Sequence, residues 1–184
     1  CWVLDRNPAS LPKDKERWPS VDIFIPTYNE PLDVVKPTVY AALTVDWPKE
    51  KLNVYILDDG SRKEFKDFAC EVGAGYIERE EHKHAKAGNI NHAMGITKGD
   101  FIAIFDCDHV PVKTFLQKTM GWFLKDEKIA LVQTPHHFYS QDPFEKNLHL
   151  KENVPNENSL FHDFIQKGND TWNATMFCGS CAIM

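Results

Sequence analysis

Three apolar runs, each the length of a single strand, end in polar or acidic motifs. Val21–Ile25 leads into Thr27-Tyr28-Asn29-Glu30, Val54–Leu57 into Asp58-Asp59-Gly60, and Phe101–Phe105 into Asp106-Cys107-Asp108. Short continuous apolar runs suit strands buried on both faces of a parallel sheet. In an open α/β sheet, ligands gather just beyond the carboxyl ends of the strands. If these strands are parallel, one rim of the sheet collects four Asp carboxylates. Two carboxylates about 5 Å apart repel by about 3 kcal/mol at an effective dielectric near 20. A cation must therefore sit among them, which points to a metal-bound, phosphate-bearing ligand of the sugar-nucleotide type.

The intervening segments read as helices. Pro31 opens one that runs to Val45, with Pro37 inside it as the place for a kink or restart. After the strand Leu52–Leu57, a second helix carries Phe65, Phe68, Ala69 and Val72 on one face and stops at Gly73. Ala74–Glu78 is a short strand. Lys86–Lys98 is helical, with Ile90, Ala93, Met94 and Thr97 on one face. Asp100–Phe105 is a strand, Phe115–Lys125 a helix burying Leu116, Met120 and Phe123, and Ile129–Gln133 a fifth strand. This alternation predicts an α/β fold with a mostly parallel, Rossmann-like sheet and helices on both faces. Residues 135–176 lose the pattern and are rich in His, Asn and aromatics, as loops and helices covering a pocket would be.

Composition narrows the function. The chain has 184 residues, 42% hydrophobic and 26% charged, enough for one domain with a core. A formal charge of −6 argues against a nucleic-acid partner, which calls for a basic face. No apolar run reaches the roughly 18 residues of a membrane span, and the N-terminus has no signal-peptide pattern. Five scattered cysteines suit reduced thiols better than a disulfide framework. The chain begins at Cys1 rather than Met and ends within the apolar Ala182-Ile183-Met184, so it reads as a piece of a larger protein.

In an extended segment residues two apart share a side. Asp106 and Asp108 then face outward together as ligands for Mg²⁺ or Mn²⁺, hard ions that take carboxylate and phosphate oxygens, while Cys107 turns to the core. Asp58 and Asp59 can accept hydrogen bonds from a base or ribose, or simply form an Asp-Gly turn. Thr27, Tyr28 and Glu30 offer hydroxyl, aromatic and carboxylate groups beside Pro31, which suits the first turn of a helix. Lys86, at a helix start, forms an anion site for a diphosphate. His82, His84 and His92 are better read as solvated than as zinc ligands. Cys178-Gly179-Ser180-Cys181 has no second CxxC to complete a metal site. Phe138, Tyr139, Phe161, Phe164, Trp172 and Phe177 can stack on sugar rings or pack as core.

Taken together, Ile25–Glu30, Leu57–Gly60, His84-Ala85-Lys86-Ala87-Gly88-Asn89, Phe105–His109, Gln133-Thr134-Pro135 and Phe177–Ser180 resemble, in order, the motifs of the processive family-two glycosyltransferases, nearest to bacterial cellulose synthase catalytic subunits. The resemblance implies a GT-A fold over residues 21–184, after an N-terminal linker at 1–20. It implies UDP-glucose as donor and inverting transfer to a growing β-1,4-glucan. Thr27, Tyr28, Glu30 and Asp58 or Asp59 would hold the uridine, Lys86 the diphosphate, and Asp106 and Asp108 the Mg²⁺ or Mn²⁺. His109, Phe177, Cys178, Gly179 and Ser180 would line the acceptor end. The same donor half would serve a chitin, hyaluronan or β-1,3-glucan synthase, and a non-catalytic nucleotide-binding module could keep the fold. The resemblance further implies a cytoplasmic domain of a bacterial inner-membrane protein, with a second synthase subunit and cyclic-di-GMP regulation. The family's general base lies in a Thr-Glu-Asp motif, followed by Gln-x-x-Arg-Trp, and neither occurs in these 184 residues. No catalytic base is therefore assigned here.

The expectation is that these residues alone bind UDP weakly and do not polymerise glucose. Incubation with UDP-glucose, Mg²⁺ and an oligoglucan tests it, and measurable chain extension would refute it.

Overall fold

The computed structural model describes residues 6–81, 83–136 and 160–184. The chain divides into two compact units, one of Pro8–Val132 with Cys178–Met184 and one of Cys1–Asn7 with Gln133–Phe177.

The larger unit is built on a strand with no exposed residue, β1 (Val21–Thr27). It is followed by α1 (Leu32–Leu43), β2 (Leu52–Asp58), α2 (Lys63–Val72), β3 (Gly75–Ile77), α3 (Ala85–Ile96), β4 (Phe101–Ile104) and α4 (Phe115–Lys125). Two two-residue strands complete the sheet, β5 (Val132–Gln133), which straddles the unit boundary, and β6 (Ala182–Ile183). The strand order is β3-β2-β1-β4-β6-β5. β1 pairs in parallel with β2 and with β4, and β2 with β3, whereas β6 runs antiparallel to β4. The sheet is thus mostly parallel, and the chain reverses its direction of winding between β1 and β4. That switch point is where such sheets open a crevice at the strands' carboxyl ends.

Alternation along β1 divides the core. Ile23 and Ile25 join Val35, Val39 and Ala42 of α1, Phe65 and Phe68 of α2, and Leu116, Met120 and Phe123 of α4. Phe24 joins Leu57, Ile77 and Ile104 with Ile90 and Ala93 of α3. Burying each such aliphatic chain contributes about 1.5–3 kcal/mol. The one charged residue within β1, Asp22, is fully buried and accepts hydrogen bonds from Asn53 Nδ2 (2.8 Å) and the Gly99 amide (2.7 Å).

The expected elements are present, but the fifth strand, expected over Ile129–Gln133, is only Val132–Gln133, and two further details differ. α1 runs unbroken through Pro37 rather than restarting. Pro37 and Asp33, whose carbonyl loses its usual partner, are both exposed, so water can satisfy it. Met94, expected on the buried face of α3, is exposed, and Asn89 is buried there instead. Gly73 ends α2 in the left-handed conformation, φ 77°. Residues 8–20 belong to the sheet's unit: Trp18 is buried and stacks on Trp47 at 4.4 Å, and Lys51 Nζ donates to the Glu16 and Trp18 carbonyls.

In the smaller unit, a π-helical stretch Leu160–Gln166 continues into a short helix Lys167–Asp170, and Arg6 pairs with Asp170. Phe164 and Trp172 are exposed. Residues 137–159, with Phe138 and Tyr139, and His82 lie outside the described residues. Among the described residues, no helix is long and apolar enough to cross a membrane.

Gly121 of α4 lies against the N-terminal segment, where a Cβ would sit 2.0 Å from the Ala9 carbonyl oxygen. Gly121→Ala is expected to lower stability by about 1–3 kcal/mol through overpacking, read as a lower thermal midpoint.

Candidate functional site

A cavity of about 490 Å³ lies at the carboxyl rim, lined by Pro26, Thr27, Tyr28, Glu30, Val34, Asp59, Ala85, Lys86, Asn89, Asp106, Cys107 and Asp108. Its walls come from the ends of β1 and β2, the first turns of α1 and α3, and the loop after β4. The parallel register aligns these ends, with Thr27 opposite Asp58 and Phe24 opposite Ile104.

The wall after β1 is self-bonded. Glu30 Oε2 accepts from Thr27 Oγ1 (2.8 Å) and the Tyr28 amide (2.9 Å). Burial would raise the Glu30 carboxyl, but these bonds and the Arg62 charge hold it below its ordinary value. The Tyr28 ring is exposed at the mouth.

The two Asp residues after β2 differ in kind. Asp58 is fully buried, and its oxygens accept from the Gly60 amide (2.9 Å), the Arg62 amide (2.7 Å), Arg62 Nη2 (2.8 Å) and Tyr76 Oη (3.0 Å). Arg62 also donates to the Glu30 carbonyl (2.5 Å) and lies 3.6 Å over the Phe65 ring. Asp58 and Arg62 thus brace the rim from beneath. Asp59 lines the cavity and is gripped by Arg79, Nε to Oδ1 at 2.6 Å and Nη2 to Oδ2 at 2.8 Å.

Lys86, in the first turn of α3, pairs with Asp106 Oδ1 and donates to the Gly179 carbonyl (2.6 Å). Asn89, one turn on, donates to the Leu57 carbonyl (2.9 Å). Asp106 and Asp108 face outward as expected from their spacing, with Cys107 buried between them. Burial, then the charges of Glu30, Asp108 and Asp106, push the Cys107 thiol up to about 12, so it stays protonated. Thr38 of α1 anchors this loop by donating to the Cys107 carbonyl (2.8 Å).

Ser180, fully buried, accepts from the Asp106 amide (2.7 Å) and lies 2.8 Å from His109 Nδ1. Ligand atoms of Asp106, Asp108 and His109 all lie within 4.8 Å of one another. The two carboxylates suit Mg²⁺ or Mn²⁺, with the His109 imidazole beside them, and a diphosphate could share the ion. His84 and His92 are exposed and belong to no such group among the described residues.

The sequence-predicted residues Thr27, Tyr28, Glu30, Asp59, Lys86, Asp106 and Asp108 all line one cavity. Asp58 lies beneath it. His109, Gly179 and Ser180 adjoin the Asp106 loop, Cys178 lies in the same unit, and Phe177 falls in the other. Sequence reasoning missed Arg62, Arg79 and Asn89. Arg62 carried a signal, four residues after Asp58 at a helix start. Arg79, inside Glu78-Arg79-Glu80-Glu81, carried none, since such a charge run is ordinarily a solvated one.

Residues 22–184 match the family described as Glycosyl transferase family 2. The chain is 59% identical over 181 residues to Cellulose synthase 2 of Novacetimonas hansenii, covering 98% of this chain and 11% of that protein. It is 58% identical over 183 residues to a UDP-forming cellulose synthase catalytic subunit of Xanthomonas axonopodis pv. citri, covering 100% of this chain and 25% of that protein. The chain thus spans a quarter or less of the length of these relatives. Among solved structures, a Pyrobaculum calidifontis mannosyltransferase in complex with GDP-Man and Mn²⁺ aligns with TM-score 0.55 and 23% identity, over 71% of this chain and 40% of that one. Mycobacterium tuberculosis glucosyl-3-phosphoglycerate synthase, with Mn²⁺, UDP and glucosyl-3-phosphoglycerate, aligns with TM-score 0.53 and 19% identity, over 70% and 51%. The shared fold is GT-A.

Two outcomes follow from the rim's wiring. Asp58→Asn removes the counter-charge of Arg62 and is expected to cost about 3 kcal/mol in urea unfolding, against about 0.5 kcal/mol or less for the exposed Asp108→Asn. The Glu30 carboxyl titrates lower folded than at its ordinary 4.5. Its contribution is complete above that value and is lost as pH falls through the folded one. Glu30→Gln should therefore flatten the acid limb of stability against pH.

Proposed function

Because this chain belongs to glycosyl transferase family 2, we propose that its cavity binds UDP-glucose and a divalent cation as the donor half of a cellulose synthase. The observation that carries this reading is convergence: six residues picked from three strand-end motifs, with Lys86 from a helix start, line one cavity at the sheet's switch point. Identity of 58–59% to cellulose synthases over 98–100% of this chain supports glucose and a β-1,4-glucan as donor sugar and product.

In this reading Thr27, Tyr28, Glu30 and Asp59 receive the uridine, and Tyr28 supplies an aromatic face at the mouth. Asp106 and Asp108 would hold Mg²⁺ or Mn²⁺, which would supply positive charge to the diphosphate of the donor. Lys86 exchanges Asp106 for a phosphate oxygen. His109, Cys178, Gly179 and Ser180 form the acceptor end. Removal of the acceptor's proton falls to a base elsewhere in the longer protein, a membrane-anchored synthase with its cytoplasmic face toward the donor, a second subunit and cyclic-di-GMP control.

Calorimetric titration with UDP tests the donor site. Binding is expected to require Mg²⁺ or Mn²⁺, to exceed that of GDP, and to fall at least about tenfold in Asp106→Ala and Asp108→Ala. UDP affinity indifferent to chelator and to both substitutions would overturn the assignment.

A further inference from the structure

Arg79 is a buried cation that the donor-site reading leaves without a task. It is 8% exposed and lies two residues beyond β3. Its guanidinium makes four short contacts in two directions. One edge forks onto Asp59, at 2.6 and 2.8 Å. The remaining contacts reach the turn that precedes and opens α3: Nη1 donates to the Lys83 carbonyl (2.7 Å) and Nη2 to the Ala85 carbonyl (2.9 Å).

That turn needs support. His84 and Ala85 both take left-handed backbone conformations, φ 63° and 43°, which L-residues with a Cβ adopt at a cost. α3 begins there without a side-chain cap. Arg79 fixes the carbonyl on each side of His84, and with them the direction in which the helix leaves. The next residue is Lys86. Packing at the junction is close: a Cβ on Gly88 would sit 2.0 Å from the Lys83 carbonyl oxygen and 2.6 Å from Arg79 Nη1. Glycine at 88 is what lets the guanidinium lie there.

We propose that Arg79 is a positioning residue that sets the spacing between the two ends of the donor site, Asp59 at the nucleoside and Lys86 at the diphosphate. The proposal rests on the donor-site reading above. A planar fork with five donors can hold a carboxylate and two carbonyls in one rigid unit, which an ammonium cannot. A role limited to neutralising Asp59 would need neither carbonyl contact.

The test compares uridine and UDP affinity in the intact protein with Mn²⁺, for wild type, Arg79→Lys, Gly88→Ala, Lys86→Ala and the double variants with Lys86→Ala. Arg79→Lys keeps a cation on Asp59 but cannot span both carbonyls. Gly88→Ala crowds the Nη1 side and leaves both charges, so it carries the test if Arg79→Lys fails to fold by thermal unfolding. Each is expected to shrink the advantage of UDP over uridine about tenfold or more, with uridine itself changed less than about threefold, and Lys86→Ala should then add nothing further. Equal losses for uridine and UDP, an unchanged ratio, or full additivity with Lys86→Ala would overturn the proposal and leave the donor site standing. Wild type that binds neither uridine nor UDP would remove the donor site itself.

Discussion

Three of the four aspartates on the carboxyl rim are each held by a cation: Asp58 by Arg62, Asp59 by Arg79, Asp106 by Lys86. Without these pairs the β1, β2 and β4 ends could not lie side by side, since one uncompensated buried carboxylate costs about 3–5 kcal/mol. The pairs are graded by exposure. The Asp58 and Asp59 carboxylates are 0% and 8% exposed, whereas Lys86 and Asp106 are 38% and 36% exposed. The guanidinium pairs on these two buried carboxylates make a permanent frame. The half-exposed ammonium pair can be exchanged for a ligand's charges. Scaffold and binding site are thus one row of like charges, distinguished by how deeply each counter-ion sits.

This changes the meaning of the acidic cluster. From the sequence, four clustered carboxylates demand a cation from outside. In the folded chain much of that demand is met by side chains from the turn that leads into α2, the loop after β3, and α3. What remains for a metal is the outward pair Asp106 and Asp108 with His109 nearby. An ion is called for at that loop by the chemistry of its two outward carboxylates.

The elements most legible in the sequence were those set by local periodicity. The continuous apolar runs of β1 and β2 and the helical spacing of α2 and α4 reappear almost residue for residue. The polar strand ends were legible because parallel pairing brings such ends together whatever the intervening helices do. Contacts between distant segments left no periodic mark. Arg79 is separated from Asp59 by 20 residues, and nothing in its neighbours distinguishes it from a solvated charge. Ser180 reaches the Asp106 amide from 74 residues away. Met94 fits the apolar stripe of α3 by spacing, yet that helix turns Asn89 inward because the Leu57 carbonyl needs a donor there.

β6 carries a consequence for how the molecule is made. Ala182 and Ile183 lie against β4, and the residue just before this pair of contacts begins, across Cys181, is the hydroxyl that receives the Asp106 amide. On a ribosome, the strands from β1 to β4 emerge long before their final neighbour. Closure over such a sequence separation is slow, and an unpaired strand edge is prone to wrong partners while it waits. The nascent chain therefore passes through an interval in which β1 to β4 can pair while the Asp106 loop still lacks its last anchor. Ligand capture would follow the emergence of residues 180–183, once β6 has paired with β4.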